Sequence, residues 1–277
     1  MTTYRKHLSG EAAFRSFVPT PLSEIQVIHT EELDKLIMEV ESAMQQFNDN
    51  ASQLSDEQVR RLMQQEAENS CQLALGEQPL FFGFMTNTNN ALEEDTNNLL
   101  KATSYAIEAM DELPLSARLL RNAHYLMCNS ERYEKKYPGE FRTSPVWIGR
   151  KGNSLKDAIF VPPVYDDMIA AFSNLERYIN YEDSENIFVR AALIHYQFEM
   201  IHPFIDGNGR VGRLLNTLYL IEQNVLKSPI LQLSDALKRR ILEYYMGLQY
   251  VNDTQEYNDW LRFYLTTLKL ASSINNL

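Results

Sequence analysis

Ile201-His202-Pro203-Phe204-Ile205-Asp206-Gly207-Asn208-Gly209-Arg210-Val211-Gly212-Arg213 stands between two apolar helical runs and limits what the rest of the chain can build. The run before it, 187–200, spreads Val189, Ala192, Leu193, Tyr196 and Phe198 nearly all round a helix, which places that helix inside a bundle. Pro203 biases His202 away from helical backbone, so the helix ends there. Apolar positions resume over 214–224, which puts residues 207–213 at the start of a second helix. A helix N-terminus offers unpaired amides and partial positive charge. Gly207 and Gly209 let successive amides converge on an anion, and Arg210 with Arg213 adds full charges. The stretch reads as a phosphate cradle with a base, His202, at its rim. Each residue has a plainer use: a core histidine, an ordinary Asp-Gly-Asn-Gly turn, a solvated arginine face. Their occurrence together in this order favours the chemical reading.

The flanking sequence is helical almost throughout. Thr30 precedes Leu33, Leu36, Ile37, Val40 and Met44, a cap followed by apolar positions at helical spacing. Further helices are expected over 55–70, 97–110 and 168–181, with another opened by Pro114. Up to Glu24, with Pro19-Thr20-Pro21, the chain reads as an extended arm on the surface. The apolar knot 80–85 and the Asn/Thr-rich residues after it read as a long loop. Val146-Trp147-Ile148-Gly149 and Ala158-Ile159-Phe160-Val161 are short β-prone runs separated by Gly152-Asn153, which suggests one small hairpin. The expected class is therefore all-α, a helical bundle with one small β-hairpin.

Charge and cysteine content narrow the function. A net charge of -11 over 277 residues argues against nucleic acid or an anionic membrane as partner. Cys71 and Cys128 lack metal-ligand spacing and read as small core hydrophobes. No apolar run is long enough to span a bilayer and the N-terminus lacks a secretory pattern, so a cytoplasmic location is expected.

Residues 202–213 resemble the signature of Fic-domain proteins, His-x-Phe-x-Asp/Glu-Gly-Asn-x-Arg-x-x-Arg, with every specified position filled. The likeness extends to residues 191–199, to Pro138-Gly139-Glu140-Phe141-Arg142, and to Val161-Pro162-Pro163. It implies the Fic fold, with an N-terminal arm and helical extension over 1–110, a catalytic core over 111–230 whose flap spans 141–163, and C-terminal helices over 231–277. It also implies transfer of AMP from ATP to a Ser, Thr or Tyr hydroxyl of a target protein, with release of pyrophosphate and with automodification. By that resemblance His202 is the general base, Asp206 holds Mg²⁺, and Gly207, Asn208, Gly209, Arg210, Gly212 and Arg213 bind the donor phosphates. Phe204 anchors the loop, Val146, Trp147, Ile148 and Gly149 clamp the target by strand addition, and Tyr244, Tyr245 and Asn252 lie on the adenine side. The Tyr pair would otherwise pass for helix core.

Many family members carry a restraining motif, Ser/Thr-x-x-x-Glu-Gly/Asn, whose glutamate pairs with the second signature arginine. Here Ser70 is followed by Ala74 where that glutamate would stand and by Leu75 where the glycine would. Glutamate restraint is therefore expected to be absent or rewired through Glu66 or Glu77, with Arg213 left free. Two other functions stay open: a Fic enzyme that uses a different diphosphate-containing donor or removes AMP, and a non-catalytic nucleotide-binding module. A homodimer is equally open, because the 80–85 knot can pack internally or against a second copy.

Overall fold

The computed structural model describes residues 3–10, 13–82, 89–149 and 154–273. Among them are one two-stranded antiparallel sheet, β1 (Thr3–His7) with β2 (Phe14–Val18), and ten α-helices. The helices are α1 (Glu31–Ala51), α2 (Asp56–Phe82), α3 (Asn89–Ala109), α4 (Ala117–Met127), α5 (Tyr165–Tyr181), α6 (Ile187–Ile201), α7 (Asn208–Glu222), α8 (Leu233–Arg239), α9 (Ile241–Thr254) and α10 (Asn258–Ser272). The all-α expectation holds, and no helix among the described residues is long and apolar enough to cross a membrane.

α6 is the axis of the bundle: every residue from Phe188 to Ile201 is buried. Its all-round apolar surface has to be covered on every side, and α1, α5, α7 and α10 pack against it. Trp260 of α10 is fully buried and its indole N–H donates to the Ala192 carbonyl at 2.9 Å. Thr30 caps α1 as its position implied, its hydroxyl accepting the Leu33 amide at 3.2 Å. Ser116 caps α4 in the same way, so that helix starts at Ala117 and Pro114 lies outside it.

Four local expectations need correction. The arm is not merely extended: its register pairs Tyr4 with Phe17 and Arg5 with Ser16, and Phe17 and Ser16 are buried. Among the described residues the expected 146–161 hairpin is one bridge, Ile148 with Phe160. Proline at 145, 162 and 163 removes ladder donors on both sides of that bridge, and the Phe17 amide takes the Val161 carbonyl at 2.8 Å. α2 runs past Ser70, because Cys71 and Leu73 continue the buried stripe of Leu62 and Ala67. α3 begins eight residues before the expected start, since its inner face carries buried Asp95, Thr96 and Asn98 and its burial is not announced by apolar spacing. The packing of the 80–85 knot, the Glu77 side chain and the Gly152-Asn153 break lie outside the described residues.

Trp260→Ala removes the largest buried side chain against α6 together with its hydrogen bond. It should cost about 3–5 kcal/mol of unfolding free energy, read from the midpoint of urea denaturation.

Candidate active site

The bend after α6 is where sequence becomes geometry. His202 adopts φ 49° and ψ 61°, left-handed backbone that a non-glycine residue enters only at a cost. Its amide closes α6 by donating to Phe198 O at 3.0 Å. Arg142, 2% exposed, holds the bend from outside. Its Nε donates to His202 O at 2.7 Å, Nη2 to Pro163 O at 2.7 Å and Ile201 O at 3.2 Å, and its own amide to Pro203 O at 2.9 Å. Burial pulls Arg142 down to about 10, which still leaves it cationic at neutral pH.

The loop beyond is closed by side chains acting as backbone partners. Asn208 accepts the Phe204 amide at 2.8 Å and donates to the Phe204 carbonyl at 2.9 Å. Phe204 is buried, as its anchoring role implied, and stacks on the His124 ring with centroids 3.8 Å apart. His124 accepts the Gly139 amide at Nδ1, 2.8 Å, so its Nε2 carries the proton that it donates to Asp206 O at 2.9 Å. Gly207 caps α7 at φ 82°, and a Cβ there would press on Cys128 Sγ, Arg210 Nη2 and His124 Nε2 within 3.4 Å. Only glycine fits this point without strain.

A cavity of about 600 Å³ opens beside the loop. His202, Asp206, Gly207, Asn208, Gly209 and Arg210 line it, with Val146 to Gly149 on one wall and Tyr244, Tyr245 and Asn252 of α9 on another. The structure thus gathers residues separated by more than a hundred positions. His202 Nδ1 lies 3.3 Å from the Glu199 carbonyl, which can only accept, so the proton sits on Nδ1 and Nε2 keeps its lone pair. Burial, reinforced by the Arg142 charge, lowers His202 to about 4. Asp206 Oδ1 accepts the Gly207 amide at 2.7 Å, while Oδ2 meets Lys136 Nζ at 3.6 Å.

Some assignments shift. The Asn208 amide group is committed to Phe204, which leaves its backbone N–H, in the first turn of α7, as the group suited to an anion. Tyr244 is both core and wall: it is buried, with its hydroxyl against His195 Nε2 at 2.9 Å. Asn252 donates to the Tyr4 hydroxyl at 2.9 Å, which ties the arm to the cavity. Gly212 and Arg213 are not among the residues lining the cavity. At Gly212 a Cβ would run into the Glu199 carboxylate and Phe198 of α6, so this glycine permits helix contact. Arg213 is not free: Nε donates to Ser70 Oγ at 2.9 Å and Nη2 to Ser70 O at 2.8 Å. Ala74, one turn on, lines the cavity. Glu66 is engaged elsewhere, accepting the Ser234 amide at 3.0 Å, and burial raises it to about 8.

Several residues had no sequence signal that singled them out. Asp95 of α3, and Arg132, Tyr133 and Lys136 of the 3-10 turn Glu131–Lys136, all line the cavity. Arg210 donates to Tyr133 Oη at 2.8 Å and lies 3.4 Å from Asp95. A charged run such as residues 131–136 ordinarily reads as a solvated surface. Arg142 stood within the Pro-Gly-x-x-Arg likeness, but its four carbonyl partners are scattered along the chain.

With this geometry in hand, the likeness to known proteins is specific. Residues 114–220 match the model described as the Fic/DOC family. A segment of 85 residues is 42% identical to "Protein adenylyltransferase Fic" of Drosophila yakuba and 40% identical to that of Drosophila melanogaster. It makes up 30% of this chain and 15% of either relative. The fold is that of a Fic family protein from Desulfovibrio desulfuricans G20, with TM-score 0.67, 22% identity, and coverage of 90% of this chain and 75% of that one. It is also that of a Fic domain containing signaling protein from Bacteroides thetaiotaomicron, with TM-score 0.59, 20% identity, and coverage of 86% and 95%.

Burial holds His124 near 4, His195 near 3 and His202 near 4, whereas in the unfolded chain each titrates near 6.5. Between those values the unfolded state binds more protons, so stability falls as pH drops through the interval. Glu66, raised to about 8, acts in the opposite sense, as do the raised Glu222 and, above pH 6.5, His29, so the three buried histidines set the net direction below that pH. The urea midpoint should therefore decline steadily from about pH 6.5 to pH 4.5; a level midpoint would mean that these histidines are not buried neutral.

Proposed function

We propose, from the match of residues 114–220 to the Fic/DOC family model, that this chain transfers AMP from ATP to a Ser, Thr or Tyr hydroxyl of a target protein and releases pyrophosphate. The observation that carries the reading is the convergence on one cavity of a neutral histidine with its Nε2 lone pair, an open helix N-terminus and a buried arginine. In this reading 1–110 is an arm and helical extension, 111–230 the catalytic core with its flap, and 231–277 a C-terminal cover. The protein belongs in the cytoplasm.

The incoming hydroxyl gives its proton to His202 Nε2, while the Nδ1 contact to Glu199 O fixes the ring's tautomer. His202 is neutral at physiological pH, and the negative charge of a bound donor raises its basicity toward the useful range. The first-turn amides of α7 and the Arg210 guanidinium receive charge that develops on the phosphates. Asp206, whose Oδ2 lies 3.6 Å from Lys136, would hold Mg²⁺ through its single carboxylate, since Mg²⁺ is commonly bound by one or two carboxylates. Among the described residues no cluster of three or more His, Cys, Asp or Glu offers an all-protein cage. When bound there, Mg²⁺ would neutralise charge on the donor phosphates. The backbone at Ile148, paired with Phe160 on one side, suits a target strand laid along the other. Tyr244, Tyr245 and Asn252 supply a flat, partly polar wall that suits adenine.

Incubation with ATP labelled at the α-phosphate and with Mg²⁺ should label the chain itself and proteins of a lysate, whereas γ-labelled ATP should not. His202→Ala should reduce the rate about 10²- to 10⁴-fold. Equal α-labelling of both proteins, or of neither, would sink the reading.

A further inference from the structure

Three cations and two carboxylates meet on one side of the cavity, and the Fic signature contains only two of the five. Arg132 is ion-paired with Asp95, donates to Tyr133 Oη at 2.8 Å and lies over the Tyr133 ring at 4.6 Å. Arg210 shares both partners, with Asp95 at 3.4 Å and Tyr133 Oη at 2.8 Å. Lys136 faces Asp206 at 3.6 Å. The cluster thus carries one net positive charge, because Arg132 and Arg210 share Asp95 while Lys136 faces Asp206. Among the described residues no acceptor reaches the buried Nε of Arg210. A buried guanidinium donor left unfilled is costly, and it marks a place for an added acceptor.

We propose that Arg132 and Lys136 are contacts for the donor's phosphates that the signature does not contain, and that Asp95 is the internal counter-ion exchanged for those phosphates. This rests on reading the cavity as the donor site. Arg213 is drawn away to Ser70 and is not among the residues lining the cavity, so the cations offered there are Arg132, Lys136 and Arg210. They divide by freedom to move. Arg210 is 3% exposed and fixed by Tyr133, whereas the Arg132 and Lys136 side chains are 34% and 42% exposed and sit on a short turn. A phosphate group has three oxygens and up to two charges, and it matches the planar donors of a guanidinium better than one carboxylate shared between two arginines. Asp95 reaches the site from α3, so the helix preceding the signature core sets the ease with which a donor enters. The two salt bridges also have an ordinary reading, partly exposed ion pairs of small value, and nucleotide affinity separates the two.

The test uses the full chain in a His202→Ala background, so that no donor is consumed, titrated calorimetrically with ATP and with adenosine. Arg132→Gln with Lys136→Gln should weaken ATP about tenfold or more, with adenosine held within about twofold. Asp95→Asn should tighten ATP about threefold by removing an opposing charge, and Arg132→Lys should recover part of the loss. Circular dichroism melts report whether each variant folds, and if Asp95→Asn does not, the Arg132 and Lys136 variants still decide. Unchanged ATP affinity in the double variant, or equal losses for ATP and adenosine, overturns the phosphate contacts. Weaker ATP binding by folded Asp95→Asn overturns the counter-ion role. A parent that binds neither ligand removes the donor-site reading along with this one, whereas a parent that binds ATP with unaltered variants removes this one alone.

Discussion

One buried guanidinium organises the site. Arg142 spends its donors on the carbonyls of Ile201, His202, Pro163 and Ser144 and adds its backbone amide to Pro203. Two of these carbonyls lie at the C-terminal end of α6, where unpaired acceptors and the negative pole of the helix collect. The left-handed turn at His202 would otherwise leave them without partners in a dry interior. Burying the charge is tolerable because each carbonyl supplies part of its lost hydration. The same contacts join Ser144, Pro163 and the signature loop, so the chain on both sides of residues 146–161 and the bend at His202 are held by one side chain.

From that fixed bend the loop proceeds with little freedom. Asn208 pairs with both backbone groups of Phe204, His124 grips Gly139 and Asp206 from opposite ring nitrogens, and Gly207 turns where no side chain fits. Each bond identifies its donor chemically, since a backbone N–H only donates and a carbonyl oxygen only accepts. The result is a pre-set array of amides at the start of α7, of the kind that stabilises developing charge without reorganisation. Groups that look like ligands in the signature divide into those that touch the cavity and those, such as the Asn208 side chain and Gly212, that build its support.

The cavity walls come from distant parts of the chain. β1 and β2 link two of them: Phe17 bonds Val161 beside the flap, and its cross-strand partner Tyr4 bonds Asn252 of α9. α3 contributes a carboxylate and α2 contributes Ser70, which holds Arg213 in place of a glutamate. The helices that precede the signature therefore place polar groups both at the cavity and on Arg213.

Much of this was legible in the residues alone. Helix spacing disclosed α1, α5, α6 and α7, and the buried character of α6 followed from an apolar surface with no polar side. The break at His202 followed from Pro203, and the joint order of histidine, carboxylate, glycines and arginines pointed to a phosphate site. These features are local, decided by backbone preference and periodicity over a few turns. The early start of α3, the single bridge among the described residues of the flap and the pairing of the arm were not local. They depend on a buried salt bridge, on prolines that remove ladder donors, and on contacts between segments more than a hundred residues apart. The sequence by itself determined a helical bundle with a glycine- and arginine-bearing loop after its central helix. Only the tertiary structure decided which polar side chains face that loop, because Arg142, Asp95 and Ser70 owe their roles to partners brought near by folding, and no spacing along the chain encodes such a meeting.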